Sequence, residues 1–517
     1  MPNSWNRRDF LKFSLAAGAA SGLSFTLPAA AAAADNTPKK GGHLKLGIDG
    51  AATTDVLDPA SWISSYMMVV GCAWGDTLVR TDPVSGKAIP GLAESWESAD
   101  KSSRWIFTLR KGVQFHNGQA LTAEDVVKTL SRHRDPKFRS GVIAYLSSIS
   151  TVTSDGDKIT ITLNESNVDF PLVLSLWNLQ IQPGGGYENP NAGIGTGPYR
   201  IVKFEAGVYT QLEKNPHDWD SSRGNVASAE VIAINDASSR VAALSTGKVH
   251  FISGLSPKIV ALLKSGPVTI YNTPGRGHYT LPMMVNTPPF DNNDLRLALK
   301  LAIDRQQILD RVLGGYGSLG NDFPVNSAYP LFPADIPQRQ YDADQAAFHF
   351  KKSGYSGPIV LDVAEGVFPG AVDAATLFQL SAQKAGIKID IRRQPDDGYW
   401  NNVWRNKPFC VSSWGTRLTQ DLIYSLELGP SSASNETNFA NPQFASLLKL
   451  ARAEEDEAKR RTLYHDIALI VRDEGGTLLP VFNNYLNASS NKLQGYIEDV
   501  GNDLSNGHVI SRVWLNN

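Results

Sequence analysis

The chain has 517 residues with 49 basic and 51 acidic side chains, so its formal net charge is only −2. A nearly neutral chain has no electrostatic reason to seek nucleic acid or an anionic membrane surface, and we expect neither as a partner. Its length exceeds what one hydrophobic core normally serves, so we expect at least two lobes.

The N-terminal stretch has three parts that together are typical of a removable export signal. A basic head, Arg7–Lys12, precedes a weakly apolar run rich in Ala and Gly, and Ala29–Ala34 then offers small-residue cleavage sites. Pro28 would interrupt a membrane-spanning helix. The adjacent arginines resemble the twin-arginine signal of bacteria, so residues 1–34 are predicted to be cleaved near Ala34 and the mature protein to be periplasmic.

Strands and helices are mixed in the first half of the mature chain, after a polar linker at residues 35–42. Strands are predicted at "HLKLGI", at "SRWIFTL" and at "DKITITLN", where apolar and polar side chains alternate. Between the last two, Thr122 is placed to cap a helix, and Asp125 lies near the positive end of that helix.

Helices dominate the second half. Apolar residues recur at helical spacing in "NDLRLALKLAIDRQQILDRVLGG", where Asp304 and Gln307 could form a capping box and Gly314 a stop. Residues 441–476 are predicted to form two helices that meet near Glu455–Glu457. The mixture lacks a strict βαβ rhythm, which indicates an α/β protein with an irregular arrangement of subdomains.

The sequence offers no residue set typical of an enzyme, a protein-made metal site or a cofactor site. A predicted strand follows the glycine-rich "GIGTGPY", so a tight turn is expected there rather than a phosphate-binding loop. The nine histidines are scattered, without a nearby cysteine partner. The S-x-x-K tetrads at Ser98 and Ser446 lack a later K-T-G, and no G-x-S-x-G is present. We therefore expect no catalytic residues, no metal ligands and no cofactor.

The segment "LVRTDPVSGKAIPGLAESWESADKSSRWIFTLRKGVQFHNGQALTAEDVVKTLSRHRD", Leu78–Asp135, resembles the extracytoplasmic solute-binding proteins of family 5, the peptide-, nickel- and opine-type receptors of ABC importers. "GTGPYRIVKFEAG", "VAALSTGKVHFI" and "NTPPFDNNDLRLALKLAIDRQQIL" follow in the order typical of that family. The resemblance implies an α/β two-lobed clamshell of mixed sheets flanked by helices. Residues 43–281 would form a large multi-subdomain lobe I, to which residues 484–517 return, and residues 282–483 would form lobe II.

The same resemblance implies how such a protein works. A small solute would bind in the cleft, the lobes would close over it, and the closed monomer would dock on the permease subunits of an ABC importer. The chain would cross between the lobes near Leu281–Val285 and Val481–Leu486. Cys72 and Cys410 would lie in opposite lobes, where a disulfide would prevent opening, so both are expected to be buried thiols.

Most candidate ligand-binding residues lie in "DDGYWNNVWRNKPFCVSSWGTRLTQDLIYSLEL", in which Phe409–Trp414 is predicted to be a buried strand that ends at the cleft. Its aromatic side chains could line an apolar pocket or belong to the core. Arg417 and Asp421 could supply paired charge to a ligand or form an ordinary i,i+4 helix pair. Weaker candidates lie before the first crossing and in a loop near the N-terminus. The candidate ligand-binding residues are Arg417, Asp421, Trp414, Tyr399, Trp400, Trp404, Tyr279, His278, Asn286, Asp55, Trp62 and Tyr66.

Arg417 departs from the pattern of the peptide-binding members. In those proteins the matching region often runs Trp-x-x-Asp, and that Asp holds the α-amino group of the peptide, whereas the residue three after Trp414 here is Arg417. An arginine fork suits a carboxylate or a phosphate. Either Asp421 takes over the amine, or the solute presents an anion to Arg417.

The expected function is therefore the capture of a peptide-like or related small solute for an importer. Three alternatives stay open: a receptor for an opine or another acidic amino-acid conjugate, a receptor for a nickel chelate, and a sensory protein that delivers its closed form to a chemotaxis receptor.

Overall fold

The computed structural model describes residues 37–263 and 266–516, so the predicted export signal at 1–34 lies outside the described residues. The strands are β1 His43–Ile48, β2 Val79–Thr81, β3 Ala88–Pro90, β4 Ala93–Ala99, β5 Arg104–Leu109, β6 Ile149–Asp155, β7 Lys158–Leu163, β8 Tyr199–Glu205, β9 Tyr209–Lys214, β10 Ser228–Ala233, β11 Phe251–Ile252, β12 Val268–Thr273, β13 His278–Pro282, β14 Gly317–Leu319, β15 Ile359–Val363, β16 Ile389–Arg393, β17 Ser412–Trp414, β18 Thr477–Asn483, β19 Tyr485–Ser490, β20 Leu493–Gln494 and β21 Trp514–Leu515. The helices are α1 Ser65–Trp74, α2 Ala123–Arg134, α3 Phe170–Val173, α4 Ala237–Ser245, α5 Pro257–Leu263, α6 Asn293–Ala302, α7 Arg305–Arg311, α8 Ala343–Lys352, α9 Ala371–Gln383, α10 Tyr399–Asn402, α11 Gln420–Leu428, α12 Pro442–Ala453, α13 Glu457–Glu474, α14 Asp503–Asn506 and α15 Val509–Arg512.

A seven-stranded mixed sheet combines strands from both ends of the described chain. Its order is β12-β19-β11-β1-β10-β9-β8. The predicted strand "HLKLGI" is β1, which pairs in parallel with β10 and β11, while β19 pairs antiparallel with β11 and β12. The apolar face of β1 and the helix α1 share one buried cluster.

A second sheet is the antiparallel β4-β5-β7-β6, on which α2 packs. The alternation predicted for β5 is confirmed, because Trp105, Phe107 and Leu109 are buried. The predicted cap is confirmed as well: the Thr122 side chain accepts a hydrogen bond from the Asp125 amide, and the Asp125 carboxylate accepts one from the Thr122 amide.

A third sheet, β14-β18-β13-β17, lies in the second half together with the parallel pair β15-β16. The chain passes from the seven-stranded sheet to this one through residues 274–277, before the predicted crossing near Leu281–Val285. It returns through Asn484, within the predicted crossing Val481–Leu486. We call residues 274–277 the crossing segment. The division into lobes at 43–281 with 484–517 and at 282–483 stays a prediction.

The helical predictions for the second half are confirmed in their main features. Asp304 caps α7 by accepting a hydrogen bond from the Gln307 amide at 3.0 Å, which is one half of the predicted capping box. Gly314 adopts a positive φ of 58° just beyond that helix. The two helices predicted over 441–476 are α12 and α13, which are separated by residues 454–456. Among the described residues no helix combines the length and the apolar character needed to cross a bilayer.

Cys72 and Cys410 are both buried and unpaired, as predicted. Burial raises the pKa of the Cys72 thiol to about 12 and raises that of Cys410 as well. Both side chains therefore behave as small apolar groups of the core.

Candidate functional site

The loop between β17 and α11, Gly415–Thr419, is the centre of the candidate site, and we call it the site loop. Its last residue, Thr419, caps α11 by accepting a hydrogen bond from the Leu422 amide at 3.1 Å. The hydroxyl of Tyr329 donates to the carbonyl oxygen of Arg417 at 3.1 Å. The loop is thus fixed at both ends, by a strand and by a capped helix. The predicted strand Phe409–Trp414 is shorter in the structure, Ser412–Trp414.

The Arg417 guanidinium has donors to spare. Its Nη1 donates to the carbonyl oxygens of Thr416 at 3.0 Å and Gly415 at 3.3 Å, and its Cζ lies 5.4 Å from the centre of the Trp414 ring. The buried Nε has no hydrogen-bond partner, and Arg417 forms no ion pair within the described residues. This arrangement can accept a bidentate anion, since the fork of donors is not bound to a carboxylate of the protein.

Arg417 and Asp421 do not form the i,i+4 helix pair, which corrects that form of the prediction, while their role toward a ligand stays a prediction. Arg417 precedes the cap Thr419 and lies outside α11, so an i,i+4 helix pair cannot form. Both carboxylate oxygens of Asp421 instead accept hydrogen bonds from Nε of Arg452, at 3.0 and 3.1 Å. Burial raises the pKa of Asp421 to about 6, although the positive charge of Arg452 opposes this shift.

The aromatic candidates divide into buried and accessible side chains. Tyr399 is 2% exposed, and its hydroxyl donates to the carbonyl oxygen of Val411 at 2.8 Å, so it belongs to the core. Trp414 is also buried, at 8%. Trp400 is 44% exposed and packs edge-to-face on Trp404, with ring centres 5.8 Å apart. These two tryptophans are the ones that can present an aromatic surface.

The candidates next to the crossing segment are tied to the core of the second half. His278 is fully buried, and its Nε2 lies 3.0 Å from Oε2 of Glu427. Tyr279 stacks on Phe368, with ring centres 3.7 Å apart. Of the two explanations open for these residues, a cleft-facing role and packing beside the crossing, their contacts favour packing.

Trp62 and Tyr66 lie in the core around α1. Trp62 is 3% exposed, stacks on Trp177 with ring centres 6.2 Å apart, and donates from Nε1 to the carbonyl oxygen of Val56 at 2.9 Å. The Tyr66 hydroxyl donates to the carbonyl oxygen of Val231 at 3.0 Å, and burial raises its pKa. Neither polar group is free for a solute.

Two polar candidates take part in local hydrogen bonds. Asp55 accepts a hydrogen bond from the Ala52 amide at 2.8 Å, which closes a turn. Asn286 is exposed and accepts one from Nδ2 of Asn438 at 3.1 Å.

Two cavities adjoin the site loop, and the residues of their other walls were not predicted from the sequence. They measure about 320 and 360 Å³, and Asp169, Leu418 and Thr419 line both. The larger cavity also contains Asp421 and Arg452 in its wall. Residues from the first half of the chain and residues 418–464 therefore face each other across these cavities.

Residues of the cavity walls also form contacts between the same two parts of the chain. Nη2 of Arg460 lies 2.6 Å from Oδ2 of Asp169, and the amide of Val168 donates to the carbonyl oxygen of Arg452 at 2.9 Å. The Arg460 side chain is 9% exposed and that of Asp169 17% exposed, so the ion pair is largely shielded from water. The sequence signal that could have pointed here is the dense run of charges in "ARAEEDEAKRR", where α12 ends and α13 begins.

Two further contacts join these parts. The hydroxyl of Ser102 donates to Oε1 of Glu455 at 2.7 Å, and Nζ of Lys87 lies 2.7 Å from Oε2 of Glu457. Over the described range, no three His, Cys, Asp or Glu side chains converge as they would around a metal ion.

Comparisons with known proteins agree with this architecture. The model of the bacterial extracellular solute-binding proteins, family 5 (middle region), matches residues 87–436, more than half of the chain, and the model of the twin-arginine translocation signal matches residues 6–24. The periplasmic oligopeptide-binding protein OppA of Haemophilus influenzae is 26% identical over 79% of this chain and 82% of its own.

Solved structures show the same fold. HbpA2 of Haemophilus parasuis superposes with a TM-score of 0.81 at 20% identity, over 92% of this chain and 100% of its own. AgaA of A. tumefaciens R10, solved in complex with agropinic acid, superposes with a TM-score of 0.73 at 22% identity, over 92% and 99%. The predicted α/β clamshell and the predicted twin-arginine export to the periplasm are thereby confirmed. This chain belongs to family 5 of the bacterial extracellular solute-binding proteins.

Proposed function

We propose that this protein is the substrate-binding component of an ABC importer, which captures a peptide-like or related small solute beside the site loop and delivers it to permease subunits. The observation that carries the proposal is the family match over residues 87–436, which includes the site loop. The oligopeptide-binding relative supports a peptide-like solute. The protein acts by binding alone and as a monomer.

The two cavities support a site between the halves of the chain. A solute that touches both walls stabilises the arrangement in which they face each other, and it need only bind that arrangement better than an open one. Exclusion of water then strengthens each polar contact. No bond of the solute has to be broken for this function.

Arg417 favours a second candidate within the same class, a receptor for a solute with a carboxylate or another anion. Its guanidinium lacks an ion-pair partner among the described residues, and a planar fork of donors matches a carboxylate. The relative solved with agropinic acid supports an opine-type solute. Asp421 is engaged with Arg452 and would have to exchange that partner to hold an amine.

Mass spectrometry of small molecules released by denaturing the purified protein tests the proposal. We expect a retained solute, which a closed binding protein often carries through purification. If repeated preparations release nothing, and di- and tripeptides, opines and amino-acid conjugates leave the melting temperature unchanged, the proposal is wrong.

The choice between the two candidates depends on charge. An Arg417-centred anion site predicts that acidic conjugates raise the melting temperature more than neutral peptides of equal size. Tighter binding of neutral solutes that carry only an amine would favour the plain peptide receptor.

A further inference from the structure

Arg276, in the crossing segment, is a buried arginine whose guanidinium donates to backbone carbonyls. The residue is 2% exposed. Its Nε and Nη2 donate to the carbonyl oxygen of Ala328 at 3.1 and 2.9 Å, and its Nη1 donates to that of Leu418 at 2.8 Å. The guanidinium also lies over the Tyr329 ring, 4.4 Å from its centre.

Arg276 lacks a carboxylate partner, as does the buried Arg296, whereas most buried arginines of the described chain have one. Arg223, Arg305 and Arg460 all form ion pairs, whereas no Asp or Glu of the described chain lies within ion-pair distance of Arg276. Burial lowers the pKa of Arg276 for this reason. Burying an unpaired charge is costly, and an apolar side chain of similar volume would serve stability better. We therefore look for the role of Arg276 in the positions of the backbone segments that its hydrogen bonds hold.

That geometry joins the crossing segment to the site loop through residues 326–331. Nδ2 of Asn326 donates to the carbonyl oxygen of Gly275 at 2.8 Å, next to Arg276. At the other end of this segment, the side-chain amide of Gln420 accepts a hydrogen bond from the Leu331 amide at 2.8 Å and donates to the Leu331 carbonyl at 3.3 Å. The crossing segment, residues 326–331 and the end of the site loop form one hydrogen-bonded unit.

The first half of the chain also reaches this unit. A Cβ placed on Gly86, which has a positive φ of 67°, would lie 2.9 Å from Nη2 of Arg276 and 3.8 Å from Pro330. The turn around Gly86 therefore lies close to the guanidinium, with no room for a methyl group between them. Arg276 belongs to the crossing segment, donates to the site loop and lies beside the opposite wall.

We propose that Arg276 is a positioning residue, which fixes the site loop to the crossing segment so that a change in the crossing moves the Leu418 backbone with it. The proposal rests on the proposed function only in taking Gly415–Thr419 as the solute-binding loop. Arg276 itself need not touch the solute.

Hydrogen–deuterium exchange of the unliganded mature protein tests this inference, with Arg276→Gln as the variant. We expect exchange of the amides in 415–420 and 326–331 to accelerate by about tenfold or more, while β1 and β10 keep their protection. Unchanged exchange in 415–420, or an equal acceleration throughout the chain, would overturn the proposal. The second result would mean that Arg276 serves general stability.

Arg240→Gln is the matched control. Arg240 is 3% exposed and, like Arg276, donates to several backbone carbonyls, among them those of Ser253 at 3.0 Å and Ile234 at 2.7 Å. It differs from Arg276 in having a carboxylate nearby, since its Nη2 lies 3.8 Å from Oδ2 of Asp49. Its loss should accelerate exchange near those residues and leave 415–420 unchanged. If the Arg240 variant loosens 415–420 as much as the Arg276 variant does, the inference fails.

Arg276→Lys keeps the test decisive if the Gln variant does not fold. A lysine retains the charge but cannot hold two carbonyls with a rigid fork, so it should still accelerate exchange in 415–420. Full protection in the Lys variant would contradict the proposal. Because all these measurements use protein without solute, their outcome is independent of whether a peptide-like solute is released on denaturation.

Discussion

The carboxylate of Asp421 is held by Arg452, 31 residues further along the chain, and not by its near neighbour Arg417. This ion pair joins the first turn of α11 to the last turn of α12, and Nη1 of Arg452 lies 3.6 Å from Glu165 of the first half. Arg417 and Asp421 therefore have separate roles: one has free donors, and the other is part of a bridge between two parts of the chain.

The raised pKa of Asp421 predicts a specific pH dependence of stability. Its pKa is about 6 in the folded protein against 3.8 for an ordinary carboxyl, so the folded state binds this proton more tightly than the unfolded state does. Below the unfolded pKa, Asp421 contributes its full stabilisation. As the pH rises through about 6, the free energy of unfolding falls by on the order of 3 kcal/mol. Urea unfolding between about pH 4 and pH 7 should show that wild-type stability, relative to Asp421→Asn, decreases across this range.

Asp82→Asn is a control of opposite sign. Hydrogen bonds from Ser85 lower the pKa of Asp82, so its contribution is lost as the pH falls. Asp421→Asn could leave the pH dependence of the free energy of unfolding unchanged, or shift it in the same direction as Asp82→Asn does. Either result would mean that burial does not determine the pKa of Asp421.

Arg417→Ala should separate binding from stability. Among the described residues, the guanidinium donates hydrogen bonds only to carbonyls of its own loop, so we expect the free energy of unfolding without solute to change by less than about 0.5 kcal/mol. Loss of a charge-assisted contact should weaken binding of the solute recovered from the purified protein by about tenfold to a hundredfold. Calorimetric titration and thermal unfolding measure the two effects. Normal binding by this variant would remove Arg417 from the site.

The pair Asp169–Arg460 should stabilise the contact between the halves of the chain. Removing one partner leaves a largely buried charge unpaired, so Asp169→Asn should cost about 3 kcal/mol, and the double variant with Arg460→Gln should cost less than the sum of the single ones. Urea unfolding of the four proteins gives the coupling free energy.

The exposed pair Lys87–Glu457 is the matched comparison for that cycle. Its side chains are 58% and 54% exposed, so the same cycle with Gln at both positions should give less than about 1 kcal/mol. Equal coupling in the two cycles would mean that burial of Asp169–Arg460 has no energetic effect.

Lys300 predicts a pH dependence at the alkaline side. It is fully buried, its Nζ donates to the carbonyl oxygens of Arg472 and Gly475 at 2.8 Å each, and burial lowers its pKa from 10.5 to about 7. Between these values the unfolded chain binds the proton and the folded chain does not, so stability rises with pH. Relative to Lys300→Met, the wild type should gain stability from about pH 7 to pH 9 in urea unfolding. A flat difference would show that Lys300 stays charged in the fold.

The cysteines predict a simple thiol titration. Since both Cys72 and Cys410 are buried and unpaired, a thiol reagent should find none in the native protein and both after denaturation without reductant. No free thiols after denaturation would indicate a disulfide and contradict the structure.

Features set by neighbouring residues were predictable from the sequence. The strand β1, the cap at Thr122 and the cap at Asp304 depend on side chains at most a few positions apart, and each is found. The order of the family's characteristic segments was also predictable, because it can be read directly along the sequence.

Features set by distant residues were not predictable. The partner of Asp421 lies on another helix, and no local pattern favours Arg452 over Arg417. Trp62 and Tyr66 are candidates because their stretch matches the family loop that meets the ligand, but their burial depends on distant residues that pack around α1. Arg276 gave no signal at all, because its acceptors are backbone carbonyls, which every residue has.

The position of β19 in the seven-stranded sheet determines when this protein can finish folding. β19 lies between β12 and β11, so these two strands have no common neighbour until residues 485–490 have been synthesised. The sheet therefore closes only after nearly all of the described chain has left the ribosome. A twin-arginine signal, which directs folded cargo, suits this order, because export then waits until residues 485–490 have completed the sheet.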